Sequence, residues 1–313
     1  MEIKDYCCID AGDGFRSLPG EEYLRKASPI LWLYVNVTDR CNASCPFCVS
    51  RASKTSLSAV DPARYRKALQ IAAPHIYGVT FTGGEPMLYP DLLDELVQIT
   101  DEIVSNDVEI DLATNGTELQ KLSELTNIDR ITSVHISRHS YDDTVNSQLM
   151  GRKGPDYGAV REFISNLNDP GKAVFNCVLQ KGGVECCDDV ARYLDMAIKA
   201  NVQNNSFITM FTTNAYCKEN YISARVFPFT SDLKCKEWNN LHTGSSFAVW
   251  NRHSDHEYCH CLSGSYINRE GSTRFYFRCP GNDASPDYCR QLVYTARNQL
   301  QDGFGSNRLV LWK

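Results

Sequence analysis

From about residue 30 to residue 212 the chain alternates short apolar, β-branched runs with longer segments of helical period, the pattern of parallel strands covered by helices. Leu31 to Val37 reads as the first strand. Asp61-Pro62 then sets an N-cap residue before proline at the first helical position, with Tyr65, Leu69 and Ala72 on one face. Tyr77 to Thr82 is a second strand, followed by a helix whose stripe is Leu92, Leu96, Ile99 and Ile103. Val108 to Ala113 and Ile131 to Ser137 are the third and fourth strands, separated by a short helix carrying Leu119, Leu122 and Leu125. A helix near 156–168 with Val160, Phe163 and Ile164 leads to a fifth strand at Ala173 to Leu179. Another near 184–200, with Val190 and Leu194, leads to a sixth at Ser206 to Phe211. Six such units predict an α/β fold, a partial (β/α)6 barrel rather than a closed ring of eight.

Past residue 212 the alternation fades into a stretch rich in Asn, Ser, Gly, Tyr and Cys. The expected division is an N-terminal extension over 1–29, the partial barrel over 30–212 and a Cys-rich C-terminal extension over 213–313. Within the last, Ser265 to Arg278 has the pattern of a β-hairpin around Glu270-Gly271. The net charge is −6 and no basic run is present, so no nucleic-acid partner is expected. The first residues lack the apolar core of a signal peptide, and no window approaches 18 uninterrupted apolar residues; the expectation is a cytoplasmic protein without a membrane partner. In a reducing compartment the 14 cysteines point to metal binding or thiol chemistry rather than to disulfides.

Directly after the first strand stands Thr38-Asp-Arg-Cys41-Asn-Ala-Ser-Cys45-Pro-Phe47-Cys48. A four-iron cluster normally takes four cysteine ligands, so a compact set of three leaves one iron open to another molecule. On spacing alone a structural zinc site is an equal reading. A second element accompanies the triplet: Phe81-Thr-Gly83-Gly84-Glu85-Pro-Met87 at the end of the second strand. Its two glycines permit close backbone approach and its Glu85 is an anionic acceptor for an ammonium group.

The Cys-x3-Cys-x2-Cys triplet after a first strand, the aromatic Phe47 before its third cysteine, and Gly-Gly-Glu-Pro after the second strand together resemble the radical S-adenosylmethionine (SAM) superfamily. That resemblance implies a [4Fe-4S] cluster on Cys41, Cys45 and Cys48, with SAM on the open iron. An electron from the cluster then cleaves the sulfonium to a 5′-deoxyadenosyl radical. It implies Phe47 near the adenine and Gly83, Gly84 and Glu85 around the methionyl amino group. Further matches are to the branch typified by the GTP cyclase of molybdenum-cofactor synthesis and the related SPASM/twitch enzymes: Ala113-Thr114-Asn115-Gly116 ending the third strand, Ser137 the fourth, Asn176 and Val178 in the fifth, and Phe207-Ile-Thr-Met210 the sixth. By analogy Thr114 and Asn115 belong to the SAM site, Ser137 contacts the carboxylate or ribose, and Met210 the adenine. Arg138, with His139 and Tyr141, orients a substrate or the SAM carboxylate, or else lies in a solvated loop. An external low-potential electron donor such as flavodoxin or ferredoxin is implied as partner.

The chain departs from the cyclase itself. A basic residue of that family falls at Tyr34, and the family's Gly-Gly terminus is replaced by Leu309-Val-Leu-Trp-Lys313. In the extension, Cys259, Cys261, Cys279 and Cys289 are candidates for an auxiliary iron–sulfur cluster. Zinc with the interleaved His253, His256 and His260, or plain buried thiols, are the competing readings. With about 40 residues before the triplet, too few for a separate peptide-binding domain, the expected substrate is a small molecule: a nucleotide, sugar or amino-acid derivative. Epimerisation or crosslinking of a ribosomal peptide is the alternative, and a noncatalytic zinc-binding module the second. No residue beyond the cofactor site is assigned a catalytic role.

Overall fold

A computed structural model describes residues 31–50, 52, 54–211, 214–223, 226–227, 246–252, 262–267, 272–277, 291–304 and 310–312. Six strands, β1 (Leu31–Thr38), β2 (Ile76–Gly83), β3 (Glu109–Thr114), β4 (Ser133–Ser137), β5 (Ala173–Leu179) and β6 (Asn204–Thr209), pair in chain order and in parallel. Between them run α1 (Pro62–Ala72), α2 (Pro90–Ile103), α3 (Leu119–Ser123), α4 (Asp143–Met150), α5 (Tyr157–Ser165) and α6 (Cys187–Lys199). This is the partial (β/α)6 barrel expected from the alternation.

The strands sort their residues by side. Leu33, Val35 and Val37 of β1, Val79 and Phe81 of β2, and Phe175, Cys177 and Leu179 of β5 belong to one buried apolar cluster with Tyr65, Leu69, Leu96 and Tyr193 of the helices. Their alternate neighbours, among them Tyr34, Asn36, Thr82, Ser137, Asn176 and Ser206, therefore face the lumen. The helices start where the chain says they should. The Asp61 side chain accepts the Arg64 N–H at the head of α1, and Asp156 accepts that of Ala159 at the head of α5.

Two helical expectations need correction. The buried stripe of α2 is Leu93, Leu96, Val97, Ile99 and Thr100, with Leu92 and Ile103 on its flank, a rotation of about one residue from the expected face. The β4-to-β5 connection also carries an unanticipated helix, α4. Only Asn146 and Met150 of it are buried, so it has no apolar stripe; its signals are the caps, Asp142 at the start and left-handed Gly151 at the end.

The sheet continues past residue 212. At the β6 edge, β7 (Ser246–Arg252), β8 (Leu262–Ile267) and β9 (Ser272–Phe277) follow, with β8 and β9 forming the expected hairpin and β9 lying parallel to β6. A short helix, α7 (Ala215–Asn220), precedes them. At the other edge β10 (Gln291–Tyr294) runs parallel to β1, and β11 (Leu300–Gln301) and β12 (Val310–Trp312) add to it in antiparallel fashion. The end of the βα repeat is thus not the end of the sheet. After β11, Phe304 lies 5.0 Å from the ring of Tyr34 on β1 and 5.9 Å from that of Phe211, just past β6. One C-terminal side chain thereby spans the side that six units leave open.

The 1–29 extension, Cys259, Cys261, Cys279 and Cys289, and His253, His256 and His260 lie outside the described residues. No described helix is long and apolar enough to cross a membrane.

Candidate functional site

The loop leaving β1 carries Cys41, Cys45 and Cys48, each half-buried, at the C-terminal ends of the parallel strands, where a barrel of this kind places its chemistry. Segments following β2, β3, β4 and β6 hold it. The turn after β2 grips its start. The Gly84 N–H donates to the Thr38 carbonyl at 2.6 Å and the Glu85 N–H to the Arg40 carbonyl at 2.8 Å. That approach requires glycine: a Cβ on Gly84 would stand 1.8 Å from the Arg40 oxygen, and Gly83 has a φ of +119°.

Past β3, the Asn115 Nδ2 donates to Asn42 Oδ1 at 2.6 Å, and the Asn42 Nδ2 to Thr117 Oγ1 at 3.2 Å. At the C-terminus of α4 the Met150 carbonyl accepts the Ser44 N–H at 2.9 Å and faces the Cys45 thiol at 3.8 Å. Gly151, with φ +63°, closes the helix there; a Cβ on it would lie 2.0 Å from Ser44 Oγ. Phe47 meets His139 edge to face, ring centroids 4.8 Å apart, and beyond β6 the Asn214 Nδ2 donates to the Pro46 carbonyl at 3.0 Å. Asn42, Ser44, Met150 and Asn214 were not singled out from the sequence. Their contacts join residues far apart in the chain, and each is a common loop residue with no motif of its own.

The three thiols sense one another. Burial raises the Cys45 pKa to about 12, with Cys48 and Cys41 adding to the shift. Burial likewise raises Cys41, opposed mainly by the Ala43 N–H that donates to its sulfur at 3.3 Å. Raised in this way, Cys41 and Cys45 stay neutral thiols by themselves; a bound cation is what turns such groups into thiolates. Among the described residues no three His, Cys, Asp or Glu side chains converge on a point as ligands of one ion would.

Three of the expected SAM-site residues also make bonds within the protein. Glu85 is 1% exposed and its carboxylate accepts three hydrogen bonds: Oε1 accepts from Thr114 Oγ1 at 2.7 Å and the Met87 N–H at 3.1 Å, and Oε2 from the Asn115 N–H at 2.7 Å. Burial raises its pKa against those three donors. Glu85 ties the end of β2 to the end of β3 and keeps acceptor capacity on Oε2, and the Thr114 hydroxyl, which also accepts the Gly116 N–H, belongs to the same tie. Arg138, directly after the C-terminal end of β4, is 1% exposed and so does not lie in a solvated loop. Its guanidinium bonds Asp143 at 2.5 Å, the Tyr157 hydroxyl at 2.8 Å and the Ser140 carbonyl at 2.9 Å, anchoring α4 and α5. Ser137 stands half-buried on the lumen side of β4, in register with Asn176, and Met210 is buried just after β6. Tyr141 holds Arg192 of α6, whose guanidinium donates to its hydroxyl at 2.9 Å.

His139 is buried, its Nδ1 accepting the Val178 N–H at 3.2 Å, and burial with the Arg138 charge lowers its pKa to about 3. As pH falls below the ordinary histidine value near 6.5 the unfolded chain takes up a proton that the folded chain refuses until about pH 3, so stability is lost across that window. Each unit is worth about 1.4 kcal/mol, and going from pH 6.5 to about pH 5 is expected to cost about 2 kcal/mol through this residue. In His139→Gln the acid limb of urea-unfolding midpoints should flatten by that amount; an unchanged slope would refute the buried neutral imidazole.

Residues 35–211 match the model of the Radical SAM superfamily, more than half of the chain, and the chain belongs to that family. Among curated relatives, a probable GTP 3′,8-cyclase of Thermoplasma volcanium is 31% identical over 131 residues, 41% of this chain and 39% of that protein. The GTP 3′,8-cyclase of Aquifex aeolicus is 29% identical over 160 residues, 49% of each. The chain thus spans half or less of the length of these relatives. Among solved structures, Streptococcus suis SuiB bound to S-adenosylmethionine superposes with a TM-score of 0.59 at 16% identity, over 92% of this chain and 65% of that one. The coproporphyrinogen III oxidase HemN of Escherichia coli gives 0.50 at 15% identity, over 72% and 59%. At such identities the likeness is one of fold. Family membership implies a [4Fe-4S] cluster and SAM. The residues fit: the candidate donors are all soft sulfur, on a loop braced from several strand ends and packed closely against the glycine turn.

Proposed function

We propose that the chain reductively cleaves SAM at a cluster held by Cys41, Cys45 and Cys48 and uses the resulting radical to take a hydrogen atom from a small molecule in the barrel lumen. Bound cluster and SAM supply the electron and the 5′-deoxyadenosyl radical; the protein supplies position and exclusion of water. Cys41, Cys45 and Cys48 bind the iron, and the segments after β2, β3, β4 and β6 fix the loop that carries them. Phe47, braced by the neutral His139 ring, offers an aromatic surface for the adenine. Ser137 and Asn176 line the wall with hydroxyl and amide groups.

The observation that supports the small-molecule reading is Phe304, whose ring lies 5.0 Å from that of Tyr34 and 5.9 Å from that of Phe211 and so narrows the space between the two ends of the six-strand run against an extended peptide. It also occupies Tyr34, the position at which the cyclase family carries a basic residue, which argues for a substrate other than a nucleoside triphosphate. The test is deuterium transfer. Reconstituted protein is reduced in the presence of SAM and a perdeuterated cell extract split into small-molecule and peptide fractions. Deuterium is expected in 5′-deoxyadenosine with the small-molecule fraction; transfer from the peptide fraction alone would favour peptide modification.

A further inference from the structure

Asn36 of β1 is 7% exposed, and its Oδ1 is buried without a hydrogen-bond partner among the described residues. Its neighbours Val35 and Val37 lie in the helix-side core, so the pleat turns Asn36 toward the lumen. It pairs in register with Thr82, and the glycine turn rests on its backbone: a Cβ on Gly83 would come within 2.9 Å of the Asn36 Cα. A buried amide oxygen left unpaired is costly, which makes such a group at a cofactor turn a candidate for a donor that arrives with the ligand.

Most of the hydrogen-bonding capacity of the turn is spent within the protein. The Glu85 carboxylate accepts from Thr114, Met87 and Asn115, and the Gly84 and Glu85 N–H groups donate to Thr38 and Arg40. We propose that the Asn36 carboxamide oxygen accepts a hydrogen bond from the α-ammonium of SAM, as an acceptor beyond those of the glycine turn. The χ2 torsion of asparagine is soft, so Oδ1 can rotate to meet the donor. An ammonium has three N–H groups, and the backbone carbonyls of the turn are the acceptors that remain for the others. This assignment rests on the radical SAM reading of the same site.

The test is calorimetric binding to anaerobically reconstituted protein, with SAM and with 5′-methylthioadenosine, which keeps the nucleoside but has no ammonium. Asn36→Leu is expected to weaken SAM about 10- to 100-fold, the range for a hydrogen bond to a charged group, with iron content and methylthioadenosine affinity unchanged. Asn36→Asp, which keeps an acceptor oxygen, is expected to bind SAM at least as tightly as the parent. The assignment is overturned if Asn36→Leu binds SAM within about twofold of the parent at equal iron. It is overturned equally if Asn36→Asp, at equal iron, weakens SAM as much as Asn36→Leu does. A parent protein that takes up no iron and binds no SAM would instead overturn the radical SAM reading itself.

Discussion

Cys41→Ser, Cys45→Ser and Cys48→Ser, made singly, are each expected to abolish SAM cleavage and to lower bound iron severely, while far-UV circular dichroism stays that of the parent. Serine keeps the size of the side chain but replaces a soft thiolate by a hard, weakly acidic hydroxyl, a poor ligand for a cubane. The apo fold should tolerate the exchange, because the three side chains are half-buried on a loop held by backbone and neighbouring groups rather than by sulfur packing. Cys48→Ser removes a group that raises the pKa of both Cys41 and Cys45, and Cys41→Ser one that raises Cys45, so those thiols ionise more easily. Easier ionisation does not restore the third iron–sulfur bond. A variant that keeps parental iron and forms 5′-deoxyadenosine would show that its cysteine is not a ligand.

Gly84→Ala is expected to disable the site from the other side. The added methyl would lie 1.8 Å from the Arg40 oxygen and 2.4 Å from its carbonyl carbon, both backbone atoms that no rotamer change can clear. Relief requires the cysteine loop to move away, breaking the Gly84-to-Thr38 and Glu85-to-Arg40 hydrogen bonds together. The expected cost is about 2–4 kcal/mol in urea unfolding, the range for strain combined with lost buried hydrogen bonds, together with loss of the cluster. Gly182→Ala is the control. Gly182 has a φ of +71° with nothing within 4 Å of an added Cβ, so the backbone term of about 1–2 kcal/mol should appear there without loss of iron. Parental iron content in Gly84→Ala would contradict the account of how the turn holds the loop.

The repeating part of the fold was readable because strand and helix leave different periods. Ala173 to Leu179 is a mostly apolar run followed by Gln-Lys-Gly-Gly, and it is β5 end to end. Asp61-Pro62 marked the start of α1 because a cap and a pre-set φ act locally. α4 escaped because a helix that buries two residues has no period to detect. The placement of β9 and β10 escaped for another reason. Strands of six and four residues that join opposite edges of a sheet, next to β6 and β1, are specified by pairing across long separations rather than by local pattern.

In the site, residue types were legible and their partners were not. Glu85 and Arg138 carry charges that suggest ligand contacts in a linear reading, yet their partners, Thr114 and Asn115 for one and Asp143 and Tyr157 for the other, are set by where the strand ends meet. Asn36 reads as one polar residue in an apolar strand. It gains meaning once Val35 and Val37 are seen to face the helices and the Gly83 turn to rest on its backbone.

The central claim is that Cys41, Cys45 and Cys48 hold a four-iron cluster that cleaves SAM. Anaerobic reconstitution with iron and sulfide, followed by iron analysis and reduction in the presence of SAM, tests it most directly. The account predicts a brown protein with at least about four irons per chain that releases 5′-deoxyadenosine on reduction. A colourless protein that holds zinc in their place and yields no 5′-deoxyadenosine would contradict it.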